Sequence, residues 1–154
     1  MNVFDYIDLT RICFLKSTEK ERCIEEIVDA SADCLHDRER FLKSIMDREN
    51  LMSTGLGFEL AFPHSKSDSV VDFFISIGIS SCGIDWKSFD ERPVKMVFLI
   101  GGPVEEQERY LRLLAALSNL VKNENNRNEL LLAQDQQQFY DTFSKLALME
   151  NQAV

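Results

Sequence analysis

Apolar residues recur at helical spacing toward both ends of the chain and at strand spacing in its middle. A face of period 3.6 cannot also serve as a face of period 2, so this change of period divides the chain into blocks. Thr18 and Glu21 have the spacing of a T-x-x-E capping box, and Ile24, Ile27 and Val28 follow at helical intervals, which predicts a first helix. A second is predicted over Asp37–Glu49, with Phe41, Leu42 and Ile45 on one face. Ser53, Thr54, Gly55 and Gly57 crowd Met52–Gly57 into a loop. Phe58, Leu60 and Phe62 alternate with Glu59 and Ala61 as in a strand, which Pro63 should end because it lacks a donor. Further strands are expected at Val70–Ile79 and Val94–Ile100, with Ile84–Trp86 as a short edge piece between them.

Gly101, Gly102 and Pro103 stop the last strand. A long helix is predicted from about Glu105 to Lys122, with Tyr110, Leu111, Leu113, Leu114, Leu117 and Val121 on one face. Two shorter helices should follow, near Arg127–Ala133 and Gln136–Met149. Two helices, several strands and three helices imply an α/β or α+β sandwich, a sheet flanked by helices on both faces. With 154 residues, no internal repeat and no Pro-, Gly- or Ser-rich linker, a single domain over 1–154 is expected.

Composition excludes several classes. Seventeen Lys and Arg against 26 Asp and Glu give a net charge of −9, which argues against non-specific binding to nucleic acid or anionic lipid. No apolar stretch approaches the roughly 18 residues of a membrane span. The start, MNVFDYIDLTR, lacks a basic segment followed by an apolar run, so a cytoplasmic protein is expected. Cys13, Cys23, Cys34 and Cys82 form no C-x-x-C pair and have no histidine at zinc-ligand spacing; buried thiols acting as small hydrophobes are the default reading.

The chain has two histidines. His64 follows Ala61-Phe62-Pro63, where proline stiffens the backbone at a strand end. A neutral imidazole is a nucleophile near pH 7, and with donors nearby it could accept a phosphoryl group, although a lone histidine at a strand end is more often structural. Arg48 could hold two phosphate oxygens at once or simply complement the helix C-terminus. Ser53 and Thr54 could donate hydroxyls to the same oxyanion or form a turn. His36, between two helices, reads as solvated or capping, and Trp86 as a packing residue at a strand end.

Taken together, Arg48-Glu49, Ser53-Thr54-Gly55-Leu56-Gly57 and Leu60-Ala61-Phe62-Pro63-His64 resemble the pattern R-E-x-x-x-S-T-G-I-G-x-x-I-A-I-P-H. That pattern belongs to the enzyme IIA components of mannitol/fructose (type 2) and nitrogen-regulatory kind in the bacterial phosphotransferase system. Ile84-Asp85-Trp86 through Asp90, Arg92-Pro93-Val94 and Val97-Phe98-Leu99 resemble its second strand pair; Pro103 followed by Tyr110-Leu111-Arg112-Leu113-Leu114-Ala115 resembles its P-x(n)-H-L-x-L-L-A helix. The resemblance covers residues 5 to 148.

It implies a mixed sheet flanked by helices and a phosphocarrier with no cofactor and no metal. His64 would receive the group from a small HPr-like phosphohistidine carrier, and Arg48 would stabilise it. The group would pass to a cysteine of a IIB-type partner or, in the nitrogen-regulatory version, control binding to a regulatory target; no nucleic acid or membrane insertion is implied. The absence of an attached permease or IIB segment favours the nitrogen-regulatory branch.

Three departures from the pattern involve four residues. Tyr110 stands where the family has a second histidine, Phe58-Glu59 where it has Asn-Gly, and Ser65 where it has Gly. A phenol donates a hydrogen bond but brings no positive charge near neutral pH. If Glu59 faced the site, its charge would oppose a phosphoryl group. Two other readings compete: a degenerate regulatory binding module without transfer, and a hydrolase, which the absence of G-x-S-x-G disfavours.

Overall fold

The computed structural model describes residues 2–152; Met1, Ala153 and Val154, at the ends of the expected 1–154 unit, lie outside them. A 3-10 turn at Val3–Tyr6 leads into β1 (Ile7–Phe14), then α1 (Lys20–Ala30), a second 3-10 turn (Ala32–Cys34) and α2 (Arg38–Leu51). Three short strands follow, β2 (Gly55–Gly57), β3 (Leu60–Ala61) and β4 (His64–Lys66), then the long strands β5 (Phe74–Ile84) and β6 (Val94–Gly102). The chain finishes in α3 (Gln107–Lys122), α4 (Glu124–Leu131) and α5 (Gln136–Gln152).

The sheet has the order β1-β5-β6-β3-β2, with β4 also paired to β6. It is mixed: β5 and β6 are antiparallel, β1 runs parallel to β5, and β3 and β4 run parallel to β6. Alternate side chains of the central strands feed two cores. Ile75, Ile77, Met96, Phe98 and Ile100 pack against α3, α4 and α5, whereas Phe74, Val97 and Leu99 pack against α1 and α2. A sheet covered on both faces reads as continuous apolar sequence, which is what FISIGI and VKMVFLI are. Each fully buried large side chain, such as Phe98, contributes about 1.5–3 kcal/mol.

Several local expectations are corrected. The T-x-x-E capping box does not form: α1 begins at Lys20 behind Glu19, which makes no side-chain cap. Instead the Ser17 hydroxyl accepts the Glu19 N–H, and the Glu26 carboxylate accepts the Lys16 and Ser17 N–H groups. Phe58 and Glu59 are not in a strand. With Gly57 they turn at φ of 85, 57 and 65°, a left-handed run that reverses β2 into β3. The expected loop correspondingly contains β2.

The strand expected at Val70–Ile79 begins only at Phe74 and continues to Ile84, so Ile84 belongs to it and Asp85-Trp86 lie beyond it. Gly101 and Gly102 extend β6 rather than stop it. Leu111 points to solvent, because the buried stripe of α3 runs through Tyr110, Leu113, Leu117, Leu120 and Val121. Of the cysteines, Cys23 is buried but Cys82 is exposed, since it lies where β5 leaves its helical cover. β1, anchored by parallel pairing to β5, is absent from the sequence reading.

Candidate functional site

His64 is held by backbone on both sides. Phe62 donates its N–H to the Thr54 carbonyl (3.0 Å), and the Pro63 carbonyl accepts the Ile100 N–H (3.0 Å). β4 then continues in register with β6, with His64 opposite Ile100. Pro63 therefore does not end pairing with β6: it can donate nothing, but its carbonyl still accepts from Ile100, and it offsets β3 from β4 along the same neighbour.

Nδ1 of His64 lies 2.8 Å from the Phe62 carbonyl oxygen. A carbonyl only accepts, so Nδ1 carries the proton and the neutral ring keeps its lone pair on Nε2. Burial lowers the pKa of His64 below its ordinary value, and the Arg48 guanidinium lowers it further. The Phe62 bond and the Glu49 charge act the other way. Near neutral pH the ring is uncharged and nucleophilic.

A pocket of about 210 Å³ opens on this ring, lined by Arg48, Ser53, Thr54, Phe62, His64 and Leu114 among others. Arg48 reaches it from the last turn of α2, where one guanidinium N–H donates to the Met52 carbonyl (2.7 Å). It thus also satisfies the helix end, and the two roles considered for it coexist.

Ser53 and Thr54 line the pocket, but their hydroxyl protons are committed elsewhere. Ser53 donates to the Trp86 carbonyl (2.6 Å), and Thr54 donates to Glu49. Direct donation from either hydroxyl to an oxyanion is therefore corrected to a loop-shaping part.

The organising group beneath the loop is Glu49, whose importance the sequence reading missed. It is 6% exposed. Its carboxylate accepts the Thr54 N–H (2.8 Å), the Thr54 hydroxyl and the Trp86 indole N–H (2.6 Å), and Lys20 Nζ stands 3.7 Å away. Lys20 also lies over the Trp86 ring, 5.2 Å from its centroid. A buried carboxylate survives only when paired and hydrogen-bonded, and this one is both. The available signal was an acid beside Arg48 followed at short range by Ser-Thr.

Tyr110 is 5% exposed. Its ring centroid is 6.0 Å from that of His64 and 6.3 Å from that of Phe73, and its hydroxyl is buried with no hydrogen-bond partner among the described residues. Burial raises its pKa, so the phenol stays protonated. It packs in the core with Leu113 and Leu117 and also borders His64, so the two placements weighed for it are compatible.

Glu59 is drawn off by Arg92 (2.7 Å) and Lys95 (3.3 Å), and its charge does not confront the pocket. His36 is exposed, and the neighbouring Asp37 caps α2 by accepting the Arg40 N–H (3.1 Å). Trp86 is fully buried, as a packing residue should be.

The family described as "Phosphoenolpyruvate-dependent sugar phosphotransferase system, EIIA 2" matches residues 6–146. The chain belongs to that family. This EIIA 2 chain is 32% identical over 152 residues to the "PTS system fructose-specific EIIA component" of Haloferax volcanii, covering 95% of this chain and 99% of the other. It is 35% identical over 133 residues to the "PTS system fructose-specific EIIABC component" of Bacillus subtilis, covering 85% of this chain but 21% of that much longer relative.

Among solved structures, it superposes with TM-score 0.85 on nitrogen regulatory protein IIA-Ntr from Neisseria meningitidis, at 20% identity over 92% of this chain and 98% of that one. It matches the complex of enzyme IIA-Mtl with phosphorylated enzyme IIB-Mtl from Escherichia coli with TM-score 0.77, at 17% identity over 90% and 97%. At these identities the structures establish the EIIA fold. No helix among the described residues is long and apolar enough to cross a membrane.

Proposed function

We propose that this chain is a single-domain, cytoplasmic EIIA phosphocarrier in which Nε2 of His64 accepts a phosphoryl group from a small HPr-like phosphohistidine carrier. The observation that carries this reading is the Nδ1–H bond to the Phe62 carbonyl, which leaves Nε2 with its lone pair in a pocket shared with Arg48.

Nε2 attacks the donor's phosphorus, a new N–P bond forms, and the donor's N–P bond breaks with its electron pair returning to the donor imidazole. The His64 ring becomes positively charged, with its proton on Nδ1 against the Phe62 carbonyl. That charge keeps the ring a good leaving group for the next step. Arg48 neutralises part of the charge on the equatorial oxygens. The group then passes to a IIB-type partner, or its presence is read by a regulatory target, as the names of the fructose-specific and nitrogen-regulatory relatives suggest.

A second reading, a regulatory module that does not transfer onward, is favoured by one observation: Tyr110 puts a neutral phenol where a cation would speed exchange. Incubation with phosphoenolpyruvate and the two upstream general carriers, followed by intact-mass measurement, tests the main reading. The wild-type protein and His36→Ala should each gain one phosphoryl group, and His64→Ala none. Uptake by His64→Ala would sink the assignment. Phosphorylation of wild type without transfer to any IIB-type domain would favour the second reading.

A further inference from the structure

A phosphoryl group on His64 carries about −1.5 to −2 charges at neutral pH, by analogy with other phosphorylated side chains. Arg48 supplies one positive charge, Tyr110 supplies none, and Glu49 adds a negative charge behind the pocket, itself matched by Lys20. The imidazolium formed on phosphorylation and Arg48 together about match that charge, so any further cation, in a chain of net charge −9, has to come from a nearby side chain free to move. The residue placed to provide it is Lys66. His64 and Lys66 are two apart on β4, so their side chains leave the same face of the strand. Their backbones are pinned to β6, His64 opposite Ile100 and Lys66 opposite Gly102.

The Tyr110 ring borders both residues. It lies 6.0 Å from the His64 ring, and the Lys66 ammonium sits 5.5 Å from its centroid. Lys66 is held there by the neutral side-chain oxygen of Gln107, at the start of α3, and takes part in none of the ion pairs among the described residues. Most other surface cations near the strands have carboxylate partners, as Arg92 and Lys95 do in Glu59. A flexible ammonium parked on a phenol ring and a neutral amide gives up little when it moves to a dianion.

We infer that Lys66 is the second cation of the phosphoryl site. It rests over Tyr110 while His64 is free and pairs with the phosphoryl oxygens once His64 is phosphorylated. Tyr110 then serves as the resting platform for a mobile charge in place of a fixed one. The inference rests on the reading that His64 is the phosphoacceptor.

The test uses the equilibrium of phosphoryl exchange, not only its rate. The ratio of phosphorylated to free protein, measured against the HPr-like donor at equilibrium, depends on how well the free and phosphorylated states are each stabilised. A residue that acts only in docking changes forward and reverse rates together and leaves that ratio alone. Lys66→Gln should lower the exchange equilibrium constant about tenfold, as expected for one hydrogen bond to a charged group, and Lys66→Arg should restore it to within about threefold. Because Lys66 is partly exposed, both variants should fold, which thermal melts would verify.

An unchanged equilibrium constant in Lys66→Gln, with or without altered rates, would overturn the inference while leaving His64 as acceptor. Failure of the wild-type protein to accept a phosphoryl group on His64 would overturn both.

Discussion

The two ring nitrogens of His64 have different fates, and the difference sets how the residue titrates. Nδ1 is tied to a backbone carbonyl, and Nε2 is left free on a ring that lines a pocket with Arg48. Burial is the larger cause of the lowered pKa and Arg48 a smaller one. An NMR titration should therefore place the His64 midpoint below the usual value near 6.5, and Arg48→Gln should raise it without fully restoring it. A histidine whose folded pKa is depressed stabilises the fold above the unfolded value, and that contribution is lost as pH falls through the folded pKa. Phosphoryl acceptance should decline over the same acid range, as the neutral ring is depleted.

Tyr110 offers a second expectation at this scale. Its hydroxyl has no partner in the described structure, and such a group costs about 1–3 kcal/mol. Tyr110→Phe should leave stability unchanged or raise it by about 1 kcal/mol in urea melts. If the hydroxyl turns to the phosphoryl group, the same variant should slow transfer by roughly ten- to a hundredfold. A loss of stability with unchanged transfer would contradict both statements.

At the scale of elements, the decisive unit is the end of α2 with the loop after it, held from beneath by Glu49. Glu49→Gln replaces one acceptor oxygen with an NH2 group, so either the Thr54 N–H or both the Thr54 hydroxyl and the Trp86 indole N–H lose their acceptor. It also leaves Lys20 without its anion. Breaking such a buried set should cost about 3–5 kcal/mol, visible as a lowered urea midpoint. The His64 resonance should shift as the loop loosens.

Much of this region was legible in the residues. Arg48, Ser53, Thr54 and His64 share one pocket, whereas Asp37, read as the first residue of α2, is its N-cap. The committed hydroxyls of Ser53 and Thr54 were not legible, because their partners, Trp86 and Glu49, meet them only through tertiary packing. The strand reading of Phe58 and Glu59 failed for a related reason. Alternation marks a face that is half buried, but three successive left-handed residues also alternate when Phe58 is left exposed under Arg127.

At the scale of the molecule, the layering followed directly from the change of hydrophobic period, since two helices and three helices must find opposite faces of the sheet between them. What periodicity could not supply was the sheet's edge. β1 alternates poorly, because Arg11 is turned inward to the Tyr6 and Ile75 carbonyls, and it earns its place by parallel pairing with β5. The site lies where β3 and β4 meet α2 and α3 beside β6, so its geometry depends on both cores.

The atom that takes the phosphoryl group decides between Nε2 of His64 and every alternative acceptor. Heteronuclear NMR of the phosphorylated, nitrogen-labelled protein reads this directly, from the coupling of phosphorus to the ring nitrogens. The expected result is a single phosphorus signal coupled to Nε2 of His64, with Nδ1 still protonated against Phe62. Phosphorus coupled to Nδ1, or carried on any residue other than His64, would contradict it.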